Sequence, residues 1–359
     1  MKRILVTGCG GNATIGFIRC LKAAKEKFYI VGTDSNPANL FFNITDKTYL
    51  IPPATSQKYI EALNKIIKKE KIDLIWSQPQ PEILTISENR ENIKAKVFLP
   101  SKEAVVICDS KIKTAEALSD AHLPIPKFIM LNKKSDLNKA FKIFGKNVWL
   151  RAITGAGGKG AFLAKNIKEA LFWIEFNNGW GTFSAQEYLP GKGYGCDMLF
   201  YNGELIFSQV KERITYFMAK ANIVGVTGTT GVLKTIHNSV IDRLCLKAVL
   251  AVDPVPNGVF AVDMKCDVKG NPKVTEINAG RFLSSSVSLF YKSNFLAPYY
   301  AVKIALDGAI SEKIKKNNPI PKDIIINRQL DIEPAIISLK TLSSLENKLK
   351  YNLLVEVKS

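Results

Sequence analysis

Residues Val259-Phe-Ala-Val-Asp-Met-Lys-Cys-Asp-Val268, Lys269-Gly-Asn-Pro272 and Lys273-Val-Thr-Glu-Ile-Asn-Ala-Gly-Arg281 read as two β-runs joined by a glycine-containing turn. With Lys269-Gly270 as a two-residue loop, the register sets Asp263 opposite Glu276, and Asn278 follows two residues on. Strand side chains alternate, so the three residues share one face. Two carboxylates and an amide oxygen on one face suit a hard divalent cation. Mg²⁺ (or Mn²⁺) is typically held by one or two carboxylates and fills its octahedron with water and substrate phosphates. Side by side, the carboxylates also form a like-charged pair whose relief would be expected to stabilise the metal-free protein. Asp and Glu are depleted in strands, and here apolar residues alternate around them, which argues against an ordinary solvated hairpin.

Working outward, 359 residues exceed one compact core and imply two or three domains. No apolar run approaches the ~18 residues of a membrane span. The chain enters a strand-like run at Met1-Lys2-Arg3-Ile4-Leu5-Val6 with no secretory leader pattern. The cysteines at 9, 20, 108, 196, 245 and 266 form no CxxC pair, and two histidines are too few for zinc spacing, so a reducing cytoplasm is expected. The net charge of +18 invites a nucleic-acid partner, yet only 8 of the 50 basic residues are Arg. Lysines scattered along helices, without interleaved aromatics, read as solvated faces; no nucleic acid and no membrane partner is expected.

Upstream, β and α patterns alternate: a strand at 3–8, the turn Gly8-Cys-Gly-Gly-Asn-Ala13 opening a helix, then a strand ending at Asp34. Further units follow to about residue 100, predicting a parallel sheet covered on both faces. The turn fits G-x-G-x-x-A with an acid 26 residues on, close to a dinucleotide fingerprint. Tyr216-Phe-Met-Ala-Lys220 adds the Tyr-x-x-x-Lys spacing of short-chain dehydrogenases, which would make an NAD(P)-dependent oxidoreductase. That spacing lies in a Thr-, Val- and Gly-rich stretch without helical period, which disfavours the reading.

Between residues 148 and 164, two strand patterns flank Ile153-Thr-Gly-Ala-Gly-Gly-Lys-Gly160, with Arg151 just ahead of it. Four glycines in six residues let backbone N–H groups wrap an anion. Asp109 or Ser110 can cap a helix to about Ala121, which puts Lys111 in its first turn, where a cation opposes the helix dipole. Tyr201-Asn-Gly203 is a hairpin turn that sends Lys211 and Arg213 toward the same cleft, and Asn238 caps a helix to about Ala251.

The Glu-Ile-Asn hairpin end, the strand-flanked glycine flap, Gln186-Glu187-Tyr188-Leu189 and the entry segment at Asp109-Ser-Lys111 together resemble the ATP-grasp superfamily. Within it, the chain looks most like the carbamoyl-phosphate-synthetase-like, carboxylate–amine ligase branch, with a single ATP-grasp unit. The resemblance implies an α/β ATP-grasp fold behind an N-terminal Rossmann-like (pre-ATP-grasp) domain. The implied division is 1–108 for that domain, 109–185 for the flap subdomain, 186–320 for the metal-binding subdomain and 321–359 for a tail packing on the core. By the same resemblance, Lys111, Arg151, Gly157, Gly158, Lys159, Gln186, Glu187, Tyr188 and Leu189 bind ATP. Asp263, Glu276 and Asn278 hold Mg²⁺ (or Mn²⁺), and Arg213 and Arg281 act on the transferring phosphoryl group.

The implied activity joins a small-molecule carboxylate, activated as an acyl phosphate, to an amine or ammonia, and a homodimer is allowed. The chain departs from the family in two places. Gly193 stands where an acid is expected to hold the ribose hydroxyls, and Glu-Ile-Asn-Ala-Gly-Arg is one residue longer than the usual Glu-x-Asn-Pro-Arg. A nucleotide-binding regulatory protein without catalysis is the alternative motivated by Gly193; the three retained metal ligands argue against it.

Overall fold

Three sheets carry the chain. The computed structural model describes residues 1–42, 44–154, 160–217, 229–328 and 339–357. Strands β1 (Arg3–Thr7), β2 (Tyr29–Asp34), β3 (Lys47–Leu50), β4 (Leu74–Trp76) and β5 (Lys96–Val97) form a parallel sheet. Helices α1 (Asn12–Ala23), α2 (Tyr59–Glu70) and α3 (Gln80–Glu88) connect them. Next come α4 (Lys102–Asp109) and α5 (Lys111–Asp120); the sequence reading lacks α4. Ser110, rather than Asp109, caps α5 by accepting from the Lys113 N–H.

The second sheet is antiparallel: β6 (Phe128–Met130), β7 (Val148–Ala152), β8 (Phe162–Ala164) and β9 (Phe183–Glu187), in order β6-β9-β7-β8. Helices α6 (Lys134–Phe144) and α7 (Ile167–Phe176) supply its separate apolar core. The third sheet holds β10 (Gly193–Tyr201), β11 (Glu204–Arg213), β12 (Val232–Thr235), β13 (Gly258–Cys266), β14 (Pro272–Ala279) and β15 (Ile325–Asn327). Its order is β14-β13-β10-β11-β12-β15. Helix α8 (Ser239–Val252) covers one face through Leu244, Cys245, Ala248 and Val249, packed with Met198, Phe260 and Val262. Asn238 caps α8, accepting from Val240 and Ile241 N–H.

On the other face, Leu199, Phe207 and Val259 pack with the N-terminal domain, α1, α9 (Ser284–Lys292) and α10 (Ala297–Asp307). The approach is close: a Cβ on Gly16 of α1 would lie 2.4 Å from the Val287 side chain of α9. After α11 (Leu339–Tyr351), β16 (Val355–Val357) adds antiparallel to β3, and Glu356 bridges to Lys47 and Lys69. No described helix is long and apolar enough to cross a membrane.

Two bulges set the registers of the third sheet. The β13–β14 connection is the five residues Asp267–Asn271 rather than a two-residue loop, with Cys266 opposite Pro272. The Asp267 side chain accepts from the Lys269 and Asn271 N–H groups, which organises the turn. That turn alone would set Asp263 against Thr275, but Thr275 is bulged out of the ladder and Asp263 pairs with Glu276. In β10–β11 the Asn202-Gly203 turn has both residues at positive φ, and the ladder shifts past Ile206, so Asp197 pairs with Gln209 and Gly195 with Lys211.

A buried acid sits under the glycine turn of the N-terminal domain. Glu82, in the first turn of α3, is 6% exposed, and its Oε2 finds no partner among the described residues. Burial pushes its carboxyl up to about 7; Asp34 adds to this, while Thr7 and Tyr59 oppose it. A raised folded-state value means the folded chain keeps a proton that the unfolded chain releases near 4.5, the ordinary glutamate value. Stability therefore falls as pH rises between those values and levels off above 7. Glu82→Gln should stabilise the protein at pH 8 by about 3 kcal/mol, from ~1.4 kcal/mol per pKa unit, and change little at pH 4. Urea unfolding at the two pH values checks this; equal midpoints for both proteins at pH 8 would refute it.

Candidate active site

Cross-strand pairing lays three rows of side chains on the face of the third sheet that turns away from α8. Lys273, Lys265, Gly193 and Arg213 form the outer row. Glu276, Asp263, Gly195 and Lys211 form the middle row, and Asn278, Ala261, Asp197 and Gln209 the inner one. Asp263, Glu276 and Asn278 are thus brought to one face as expected, with Ile277 between the last two turned into the apolar core.

Each of the three expected metal ligands is bound to a different arginine. Arg151, from β7 of the second sheet, donates to Glu276. It also donates to the Thr275 carbonyl at 3.1 Å, an oxygen on the bulged residue. Arg213, at the end of β11, donates to Asp263, and Arg281, just past β14, donates to Asn278 Oδ1 at 2.6 Å. Lys111 lies in the field of Glu276, Arg151 and Arg281, and its backbone N–H donates to the Ile153 carbonyl at 3.2 Å, beside the flap. The site therefore stands where the second and third sheets meet the start of α5, and the first sheet joins it beside Arg281, where the Phe282 N–H donates to Gln78 just past β4.

These neighbours set the charges. Burial alone would raise Glu276, but Arg151, Lys111 and Arg281 hold its carboxyl below the usual range. Asp263 goes the other way: burial and the adjacent Glu276 raise it more than Arg213 lowers it. Burial also lowers Lys111 and Arg281. The like-charged pair expected from sequence is thus embedded among cations.

The donor set fits a cation–phosphate group. Two carboxylates and an amide oxygen are hard ligands on one face, although among the described residues no three His, Cys, Asp or Glu side chains cluster as a metal site. The Nε atoms of Arg213 and Arg281 are buried with no acceptor among the described residues, which leaves two guanidinium N–H groups for phosphate oxygens.

At the cleft's outer end, Glu187 is clamped by Lys273 (2.7 and 2.8 Å) and accepts from the Lys127 N–H at 3.2 Å. Tyr188 sits against Trp149, Leu189 is buried, and the Gln186 amide donates to Ser184. Gly157, Gly158 and Lys159, expected over the phosphates, lie outside the described residues, as does Lys220. Gly193 faces the cleft, and a Cβ there would lie 3.2 Å from the Tyr216 hydroxyl. That phenol, bonded to Arg213, therefore fills the place next to the missing acid.

Asp197 is no substitute for that acid, being fully buried and paired with Lys211. Lys211 also donates to Ser286 in the first turn of α9. Sequence reading sent Lys211 toward the cleft without a role and gave neither Asp197 nor Ser286 as its partner. In the N-terminal domain, Asp34 accepts from Gly10 N–H, Asn36 N–H and the Asn39 amide (3.1, 2.9 and 3.2 Å). A Cβ on Gly10 would lie 2.3 Å from Asn39 Cβ. The acid of the dinucleotide-like motif is therefore engaged by the glycine turn and by the loop that follows it.

Residues 4–99 match the family model of the PylC-like N-terminal domain, and residues 108–285 that of the ATP-grasp domain. No curated protein matches the sequence. Among solved structures, the chain is similar to N5-carboxyaminoimidazole synthetase from Staphylococcus aureus (TM-score 0.63, 16% identity, covering 98% of this chain and 86% of that one). It is also similar to L-amino acid ligase from Bacillus licheniformis (0.65, 13% identity, 86% and 74%). A third likeness is to the biotin carboxylase domain of Hydrogenobacter thermophilus 2-oxoglutarate carboxylase (0.68, 15% identity, 90% and 73%). At these identities the likenesses establish the fold. With both domain models matched in order and three sheets meeting at one cluster of acids and arginines, the chain belongs to the ATP-grasp superfamily, with a PylC-like N-terminal domain.

Proposed function

We propose that this protein is an ATP- and Mg²⁺-dependent ligase that activates a substrate carboxylate as an acyl phosphate for attack by an amine or ammonia. The single observation that carries the reading is the pairing of Asp263, Glu276 and Asn278 with Arg213, Arg151 and Arg281 at the junction of the three sheets. Phosphoryl transfer asks little covalent chemistry of a protein and much positioned charge. Asp263, Glu276 and Asn278 would hold the cation, which when bound neutralises charge on the transferring phosphoryl group. Arg213 and Arg281 bring their unpaired N–H groups to phosphate oxygens, with Arg151 and Lys111 around them. Gln186–Leu189 would border the base, with Glu187 held rigid by Lys273. Arg281, next to the N-terminal domain, is suited to the carboxylate that receives the phosphoryl group.

The solved relative from Hydrogenobacter contains MgADP and bicarbonate and is a dimer, which supports the cofactor assignment and a homodimer. The L-amino acid ligase and the carboxyaminoimidazole synthetase support the carboxylate–amine class. The experiment is release of ADP and phosphate across pairs of carboxylates and amines. The expected result is release that requires both partners, with the joined product found by mass spectrometry. Nucleotide binding with no release for any pair would favour the regulatory alternative.

A further inference from the structure

The three arginine pairs have a consequence for how the site fills, and it rests on the reading of Asp263, Glu276 and Asn278 as metal ligands. We infer that Arg151 and Arg213 are resident counter-ions of Glu276 and Asp263, with Arg281 occupying the Asn278 oxygen, so that the site takes a divalent cation only together with a polyphosphate that draws the guanidinium groups away. Each ligand is already engaged by an arginine. Four cations, with Lys111 counted, surround two carboxylates, and Asp109 raises the anions only to three. Lys265 adds a further cation in the outer row, whereas the Lys211 charge is matched by Asp197.

A free divalent ion arriving at this face would displace a guanidinium from each ligand and then sit beside it, repelled by every one. A polyphosphate reverses the balance. It offers anionic oxygens to the displaced arginines, including Nε atoms of Arg213 and Arg281 that lack an acceptor among the described residues, and it supplies oxygens to the metal. Metal and polyphosphate should therefore bind with strong mutual coupling. Because Arg151 reaches from the second sheet to Glu276 in the third, the same exchange releases a tie between those two subdomains.

The test uses the full chain and Mn²⁺, observed by electron paramagnetic resonance, alone, with inorganic tripolyphosphate, and with ADP. The parental protein should show site-bound Mn²⁺ only when tripolyphosphate or ADP is present. Arg213→Met should bind Mn²⁺ alone, tightened on the order of 10-fold or more as expected for removing a coupling of that class. Lys68→Met, which removes an equal charge from the exposed face of α2, should behave as the parent. Arg151→Met provides the same measurement if Arg213→Met does not fold.

Parental affinity for Mn²⁺ that is the same with and without tripolyphosphate would overturn the inference while leaving the metal site intact. Unchanged metal binding in the arginine variant would do so as well. Absence of bound Mn²⁺ even with ADP, or binding indifferent to Glu276→Gln, would instead bring down the metal-site reading beneath it.

Discussion

Glu276→Gln should lower kcat on the order of 10²-fold or more, the loss typical of removing one preorganised electrostatic contact. The amide keeps the shape of the side chain and can still accept from Arg151, but it no longer supplies the charge that holds a cation. A cation bound there stabilises the transferring phosphoryl group more than ground-state ATP, so the loss belongs in kcat rather than KM. Stability should also fall, opposite to the relief expected from a like-charged pair. Besides Asp263, Glu276 has Arg151, Lys111 and Arg281 around it, and these cations hold its folded-state carboxyl below the unfolded value. A depressed carboxylate stabilises the fold above its unfolded value, and that contribution disappears as pH falls through the folded value. The variant should therefore be less stable than the parent at pH 7 and approach it at acid pH. Glu346→Gln, on the exposed side of α11, is the control. Equal turnover by both variants with an authentic carboxylate and amine would mean that the metal lies elsewhere.

How this site was legible from sequence shows what strand patterns can and cannot carry. Period-two alternation identified Glu276 and Asn278 as same-face residues, and it needs no knowledge of the turn. The Asp263–Glu276 pairing was expected from a two-residue turn that the protein does not make. A five-residue connection displaces the register by one, and the bulge at Thr275 restores it. Without that bulge, Glu276 would point to the α8 side, because a one-residue slip turns every side chain over. The bulge does more than correct a count, since it frees the Thr275 carbonyl that receives Arg151.

In β10–β11 a second bulge hid a partner: Lys211 and Arg213 do face the cleft, but the pairing of Lys211 with Asp197 was not legible. From the Asn202-Gly203 turn, Asp197 would pair with Ser208 and Lys211 would lie on the opposite face. The shift past Ile206 brings Lys211 to the face of Asp197. A bulge with no glycine to mark it leaves little trace in a single sequence. Short buried helices such as α4 and α9 were missed because their apolar residues also fit a strand or loop at that length.

The buried pair hidden by that bulge should give the largest stability effect in the molecule. Lys211 and Asp197 are both fully buried, and the lysine is also bonded to Ser286. Lys211→Met keeps the stem and removes the ammonium, leaving the Asp197 carboxylate without its cation; its Oδ1 already has no partner among the described residues. Breaking one side of such a pair typically costs about 3–5 kcal/mol. Lys211→Met/Asp197→Leu removes both charges, and because the desolvation cost of a buried pair rivals its attraction, most of that stability should return. Urea unfolding of the two variants measures the difference, and a single variant within about 1 kcal/mol of the parent would contradict the cost of an unpaired buried charge.

Activity should not return with stability. The lysine stem runs past Gly195, where a Cβ would lie 3.1 Å from Lys211 Cε and 3.5 Å from both Arg213 Nη2 and Asp263 Oδ1. Two apolar side chains restore the packing but not the brace from this row to Ser286 of α9, three residues after the loop that carries Arg281. A double variant that folds like the parent yet turns over more slowly would place the role of the pair in aligning Asp263, Arg213 and Arg281. Full recovery of turnover would reduce it to a replaceable piece of core.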